Sequence, residues 1–205
     1  MKKQKSIPQF AVSVYVKNLV VKLFCFLLFF TFYMALGGKV GSIITQVLDL
    51  IILIVLIFSN AWEIGGSDSN RVMTGVMKED VYRGFKAGLL AAIPDFLTVL
   101  LLFAAKLEML PRVYISVFGL LNAPFYPFHL TILPQTLTSA EQSMLACVIS
   151  GATILLIPII TGFAYILGYY EYSILDNILY TTPEAKEKHK QKLIKRKLKK
   201  ERRLY

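Results

Sequence analysis

Cysteine is scarce in this chain, and so is charge. Of 205 residues two are cysteines, Cys25 and Cys147, each inside an apolar stretch with no partner nearby in sequence. That spacing supports neither a disulfide scaffold nor a zinc cluster, and both thiols read as small buried hydrophobes. Charged residues make up 18% of the chain against 56% apolar, and the mean hydropathy is +0.58. An ordinary soluble domain carries more charge and shorter apolar runs. The chain also lacks a phosphate-binding glycine loop, a Gly-x-Ser-x-Gly turn, a dinucleotide fingerprint and any His-x-x-x-His or Glu-x-x-His pair. The usual grounds for nucleotide, metal or triad chemistry are therefore missing. No catalytic residue, cofactor or metal is expected, and the chain reads as non-enzymatic.

What the chain has is long apolar runs. Residues 18–36, 40–62, 84–105 and 143–170 are each long enough to cross roughly 30 Å of hydrocarbon, which takes about 20 helical residues. Residues 113–133 are apolar too, but interrupted by Asn122, Pro124, Pro127 and His129. The expected fold is all-α: a polytopic membrane bundle of four full transmembrane helices plus one broken or re-entrant segment at 113–133. Six crossings result if that segment splits into two. Residues 1–17 form a basic lead-in, where Pro8 argues against a helix running from the start. Residues 18–180 form the membrane domain and 181–205 a basic helical tail. The first run is longer than a signal-peptide core and lacks a good Ala-x-Ala site, so an uncleaved first span is expected. Gly37, Gly38 and Gly41 predict a tight turn. Residues 63–83, with Gly65, Gly66, Ser67, Asp68, Ser69 and Asn70, predict the longest polar connection. Glu79 and Asp80 then fall in the first turn of the third helix, where acids complement its positive end. Pro158 predicts a kink in the last span.

The net charge of +10 lies at the two ends of the chain. Residues 184–205 carry eleven Lys or Arg and three Glu, and Lys2, Lys3, Lys5, Lys17 and Lys22 lie near the start. Basic residues mark the cytosolic ends of spans. Both termini are therefore expected in the cytosol, with the 63–83 connection (Arg71, Lys78, Arg83) on the same side. Two cytosolic termini need an even number of crossings, which favours treating 113–133 as re-entrant. The tail, with Lys195, Arg196, Lys197, Lys199, Lys200, Arg202 and Arg203, is expected to meet anionic lipid headgroups. Ribosomal RNA is its alternative phosphate partner.

Within the apolar runs a few polar residues stand out. Asp95 and Asp49 fall near the middle of the third and second spans, where an acid costs about 2.5–3.5 kcal/mol to insert and is rarely idle. Pro94, just before Asp95, frees the carbonyl of Leu90. Thr45, Gln46 and Asp49 share a helix face and predict a polar patch directed toward Asp95. Gly84, Gly88 and Ala92 repeat every four residues, the small-residue pattern that lets membrane helices approach closely. Tyr165, Tyr169, Tyr170, Tyr172 and Tyr180 suit an interfacial belt.

Trp62, Gly66, Asp68, Asn70, Gly75, Asp80, Gly84 and Gly88 together form a pattern that resembles one in small uncharacterised membrane proteins of Gram-positive bacteria, over residues 62–94. The resemblance implies a bacterial plasma membrane and transfers no activity and no functional residue. The leading expectation is a transport-related or accessory subunit with a protein partner in the membrane. The alternatives are a small permease or channel using Asp95 and Asp49, and a membrane-protein biogenesis factor whose tail meets ribosomes or lipid.

Overall fold

A computed structural model describes residues 6–36, 38–111, 113–133 and 141–170. The described chain is helical, with no strand among the described residues. In order come α1 (Ile7–Leu28), a π-helical turn (Phe29–Tyr33), the short α2 (Met34–Leu36), α3 (Gly38–Met73), α4 (Arg83–Lys106), α5 (Val113–Leu121), a 3-10 turn (Ala123–Phe125), α6 (Tyr126–Ile132), α7 (Met144–Ala152), a second 3-10 turn (Thr153–Leu155) and α8 (Leu156–Tyr169).

Four helical stretches are long and apolar enough to cross a membrane: Ile7–Phe32, Lys39–Met73, Arg83–Lys106 and Met144–Tyr169. Between 28% and 39% of each apolar window is buried inside the bundle. The remainder, Leu23, Val40, Leu100, Leu145 and Phe163 among it, faces outward. Soluble monomers do not carry apolar surface on that scale, so the chain is consistent with a membrane protein. Helices α1 and α8 each pack against both α3 and α4. The core runs down their shared faces through Phe10, Val14, Val21, Leu53, Ile57, Ala87, Ala91 and Tyr165. The pair Val113–Leu121 and Ala123–Ile132 is bent by 102° and builds a second small core with Leu102, Ala146 and Cys147.

Three expectations from the sequence are corrected. The first helix begins at Ile7, eleven residues before the expected span (18 − 7). Pro8 sits in its first turn, where the missing N–H costs nothing. Ser6 and Gln9 close a capping box: the Ser6 amide donates to Gln9 Oε1 at 2.9 Å and the Gln9 amide to Ser6 Oγ at 3.4 Å. Second, the expected loop at 63–83 is helical as far as Met73. Helix α3 has 36 residues, about 54 Å at 1.5 Å per residue, longer than the roughly 30 Å of a bilayer's hydrocarbon. It closes on Gly75, at φ 71°, where the Val76 amide donates to the Arg71 carbonyl and the Gly75 amide to the Val72 carbonyl. Those two bonds define a Schellman cap. Third, no acid lies in the first turn of α4, which starts at Arg83. Asp80 precedes it and pairs with Lys86 at 2.9 Å.

Close packing keeps the end of α3 helical. A Cβ on Gly65 would collide with the backbone of Tyr165 and Tyr169, and one on Gly168 with the backbone of Trp62. The two helices meet backbone to backbone, and that contact outweighs the weak helix propensity of Gly and Ser. Helix α4 meets α8 in the same manner. A Cβ on Gly88 would lie 2.6 Å from Pro158 Cα, and one on Gly84 would strike the Tyr165 side chain. Ala92, one turn further, is fully buried. In the last span the geometry tightens to a 3-10 turn at Thr153–Leu155, one turn ahead of Pro158, whose absent N–H leaves the Ile154 carbonyl without its helical donor.

Candidate functional site: a buried polar seam

One face of α1 carries Asn18, Lys22 and Cys25, spaced to line up over two turns. It meets α4 at Asp95, whose side chain is almost wholly buried. Asn18 Nδ2 donates to Asp95 Oδ2 at 2.8 Å, and Lys22 Nζ to Oδ1 at 2.5 Å. Both carboxylate oxygens are therefore engaged from α1, one by a cation.

From Asp95 the bonds continue toward the bent segment. Thr98 Oγ1 donates to the Asp95 carbonyl at 2.7 Å and accepts from Asn122 Nδ2 at 3.1 Å. Asn122 also donates to the Phe118 carbonyl, and Tyr114 Oη to the Thr98 carbonyl at 3.3 Å. Asn122 stands at the 102° bend, so Asp95, which pairs with Lys22 through its carboxylate, is tied to the bend through its backbone carbonyl.

The patch expected of Thr45, Gln46 and Asp49 divides. Thr45 Oγ1 donates back to the Gly41 carbonyl within its own helix. Gln46 turns to the bent segment: its Nε2 donates to the Pro124 carbonyl at 3.0 Å, and its Oε1 accepts from the Phe128 amide at 3.1 Å. Together these two bonds satisfy backbone groups that the helical hydrogen-bond ladder leaves unpaired at the bend. Asp49 is fully buried, and neither of its carboxylate oxygens has a hydrogen-bond partner among the described residues. Beside it lies Cys25, whose Sγ is 4.0 Å from the Asp49 carbonyl.

A second charged cluster closes the end of the bundle where α3, α4 and α8 meet. Arg83, almost wholly buried, donates to Asp68 Oδ2. Arg71 reaches Oδ1 at 3.3 Å, and Tyr165 Oη donates to Oδ2 at 3.2 Å. His129, on α6, packs its ring among Phe118, Phe125 and Phe128, at centroid distances of 5.0, 6.2 and 6.1 Å. It lines a cavity of about 10 Å³ with Ile115, Gly119, Tyr126, Leu130 and Leu133, room for about one water molecule and far below the ~300 Å³ at which ligand pockets begin. Among the described residues no three His, Cys, Asp or Glu converge on a metal-sized point.

Sequence reasoning assigned Lys22 to the basic leader and missed its pairing. The available signal was Asn18 four residues earlier, inside the same apolar run. Nothing in the sequence marked Asp68 and Arg83 as partners. The tail residues Lys195, Arg196, Lys197, Lys199, Lys200, Arg202 and Arg203 lie outside the described residues.

No family model, no curated protein and no solved structure matches the chain. Its class follows from the helices themselves: an all-helical protein with four helices long and apolar enough to span a membrane.

Proposed function

We propose that this chain is a non-enzymatic subunit of a membrane complex, transport-related or accessory, in a bacterial plasma membrane. In this reading both termini and the polar end of α3 face the cytosol. Four helices cross, and the bent α5–α6 pair enters and leaves on one side. One observation carries the reading: the buried charges bind one another, Lys22 to Asp95 and Arg83 to Asp68. Charges spent on joining helices make a scaffold, and the glycine faces at Gly65, Gly84, Gly88 and Gly168 draw that scaffold tight. The basic tail supplies attraction to anionic headgroups. Affinity purification from native membranes in mild detergent tests the proposal. A stoichiometric permease or ATPase partner is expected, and a homogeneous lone chain overturns it.

A second reading, a small permease or channel, draws on Asp49, the buried acid that lacks a hydrogen-bonding partner among the described residues. Intramembrane acids of that kind mark ion and proton paths. It predicts that Asp49→Asn or Asp95→Asn abolishes ion or proton flux in reconstituted vesicles while the protein still folds. Unchanged flux in both variants removes it.

A further inference from the structure

We infer that Trp62, Tyr82 and Tyr170 form a lipid-binding collar: their side chains sit in the phospholipid headgroup layer and fix how deep the bundle lies in its membrane. This rests on the reading of four crossing helices and adds the level at which the bilayer meets them.

The three side chains share one level of the bundle. Trp62 on α3 is 40% exposed, Tyr82 just before α4 is 68% exposed and Tyr170 just after α8 is 63% exposed. Packing contacts align them. The backbone of Trp62 lies against Gly168 of α8, and Gly84 of α4 lies against Tyr165. The three aromatics therefore stand within about two helical turns of one another along the bundle. Each has an apolar body and a polar tip, which suits the boundary between headgroups and acyl chains. Tyr165 and Tyr169, expected in the belt from sequence, are buried instead. Tyr165 bonds Asp68, and Tyr169 stacks on Tyr165.

Helix length points to the same level. Helix α3 is far longer than the hydrocarbon is thick, and the collar selects the part of it that is immersed. From Lys39 to Trp62 the rise is about 35 Å, and from Arg83 to Lys106 on α4 it is about 35 Å too. Either stretch covers roughly 30 Å of hydrocarbon and leaves its lysine at the opposite boundary. Between Lys39 and Trp62 the side chains of Val40, Ile43, Val47, Ile51 and Val55 face outward, as a lipid-facing surface requires.

Helix α1 fits the same boundary. Ser13 Oγ donates to Asn60 Oδ1 at 3.2 Å, which sets Ser13 just inside the collar. Lys17 is exposed one turn further in. Its stem leans toward the N-terminus of α1, and so toward the collar, the direction in which a lysine reaches headgroups. The collar also separates the two charged clusters. Asp68, Arg71 and Arg83 lie at or outside it, whereas Asp95 lies about 18 Å from Arg83 along α4, near the middle of the bilayer.

Fluorescence quenching of the full chain in phosphatidylcholine vesicles, brominated on the acyl chain either near the headgroup or near the chain end, tests the collar. Trp62 is the one tryptophan of the chain, so the wild type reports directly. Its emission is expected to fall more with the shallow bromines than with the deep ones. In a Trp62→Phe background, Tyr82→Trp and Tyr170→Trp should show the same order. Ile51→Trp in that background, at a position 52% exposed and midway along the α3 span, should show the reverse. If Ile51→Trp is quenched from the deep side but Trp62 is quenched equally deeply or not at all, the collar is overturned and the crossing helices stand. A reversed order at Tyr82→Trp or Tyr170→Trp also overturns it. If neither lipid quenches Ile51→Trp, the crossing helices fall and the collar with them.

Discussion

Asp49 and Asp68 lie on the same helix, about five turns apart, and both are buried. Their surroundings differ completely. Asp68 accepts from Arg83, Arg71 and Tyr165, groups drawn from α4, α8 and its own helix. Asp49 accepts from none among the described residues. Asp95 falls between them, with one cation and one amide. Burial alone therefore does not set the role of an acid in this bundle. Where partners converge, the acid joins helices. Where they do not, it is a destabilising group, and such groups are tolerated at functional positions.

The strongest test of that contrast moves Asp68 toward the condition of Asp49. Arg83→Met removes its closest cation and is expected to cost about 3–5 kcal/mol, the range for breaking a buried pair. Thermal unfolding in detergent would read this as a large drop in stability. A change within error would mean that Arg71 and Tyr165 hold Asp68 by themselves.

Lys22→Met does the same to Asp95. The loss should be smaller, about 2–3 kcal/mol, because Asn18 still donates to the carboxylate. A loss as large as that of Arg83→Met would erase the distinction between the two pairs.

The third substitution runs the other way. Asp49→Leu removes a buried acid whose carboxyl has no hydrogen-bond partner among the described residues and should stabilise the bundle by about 1–3 kcal/mol. Destabilisation on the same assay would reveal a partner for Asp49.

Gln46→Ala gives the smallest effect, about 1–2 kcal/mol for two hydrogen bonds to backbone. It should be local. Hydrogen exchange should quicken in the bent segment around Phe128 and leave the rest of the bundle unchanged, whereas uniform quickening would make Gln46 part of the main core.

Much of this architecture was legible in the sequence because the relevant signals are local. A run of some twenty apolar residues reads as a long buried or lipid-facing helix wherever it occurs, and the pair of prolines in 113–133 marks a break. The helical end of α3 was not legible. Gly65, Gly66, Ser67 and Asn70 are turn formers by propensity, and the stretch remains helical because α8 lies against Gly65 and Gly66, backbone on backbone. Pro8 was ambiguous for a related reason: a proline ends a helix in its interior and starts one in its first turn, and the capping box of Ser6 and Gln9 decides which. Gln46 and Asp49 share a face by spacing, yet their bonds go in different directions.

Composition and hydropathy by themselves determined the class of this protein: helical, rich in lipid-compatible surface, with its basic charge at the ends of the chain. Those properties add up residue by residue and need no knowledge of neighbours. The tertiary structure decided which charges meet. Lys22 and Asp95 are separated by most of two helices in sequence, Asp68 and Arg83 by a cap and a turn, and the Asp49 carboxyl has no hydrogen-bond partner among the described residues. Pairing depends on which helix faces are brought together, a property of the packed bundle that no single segment of the chain carries.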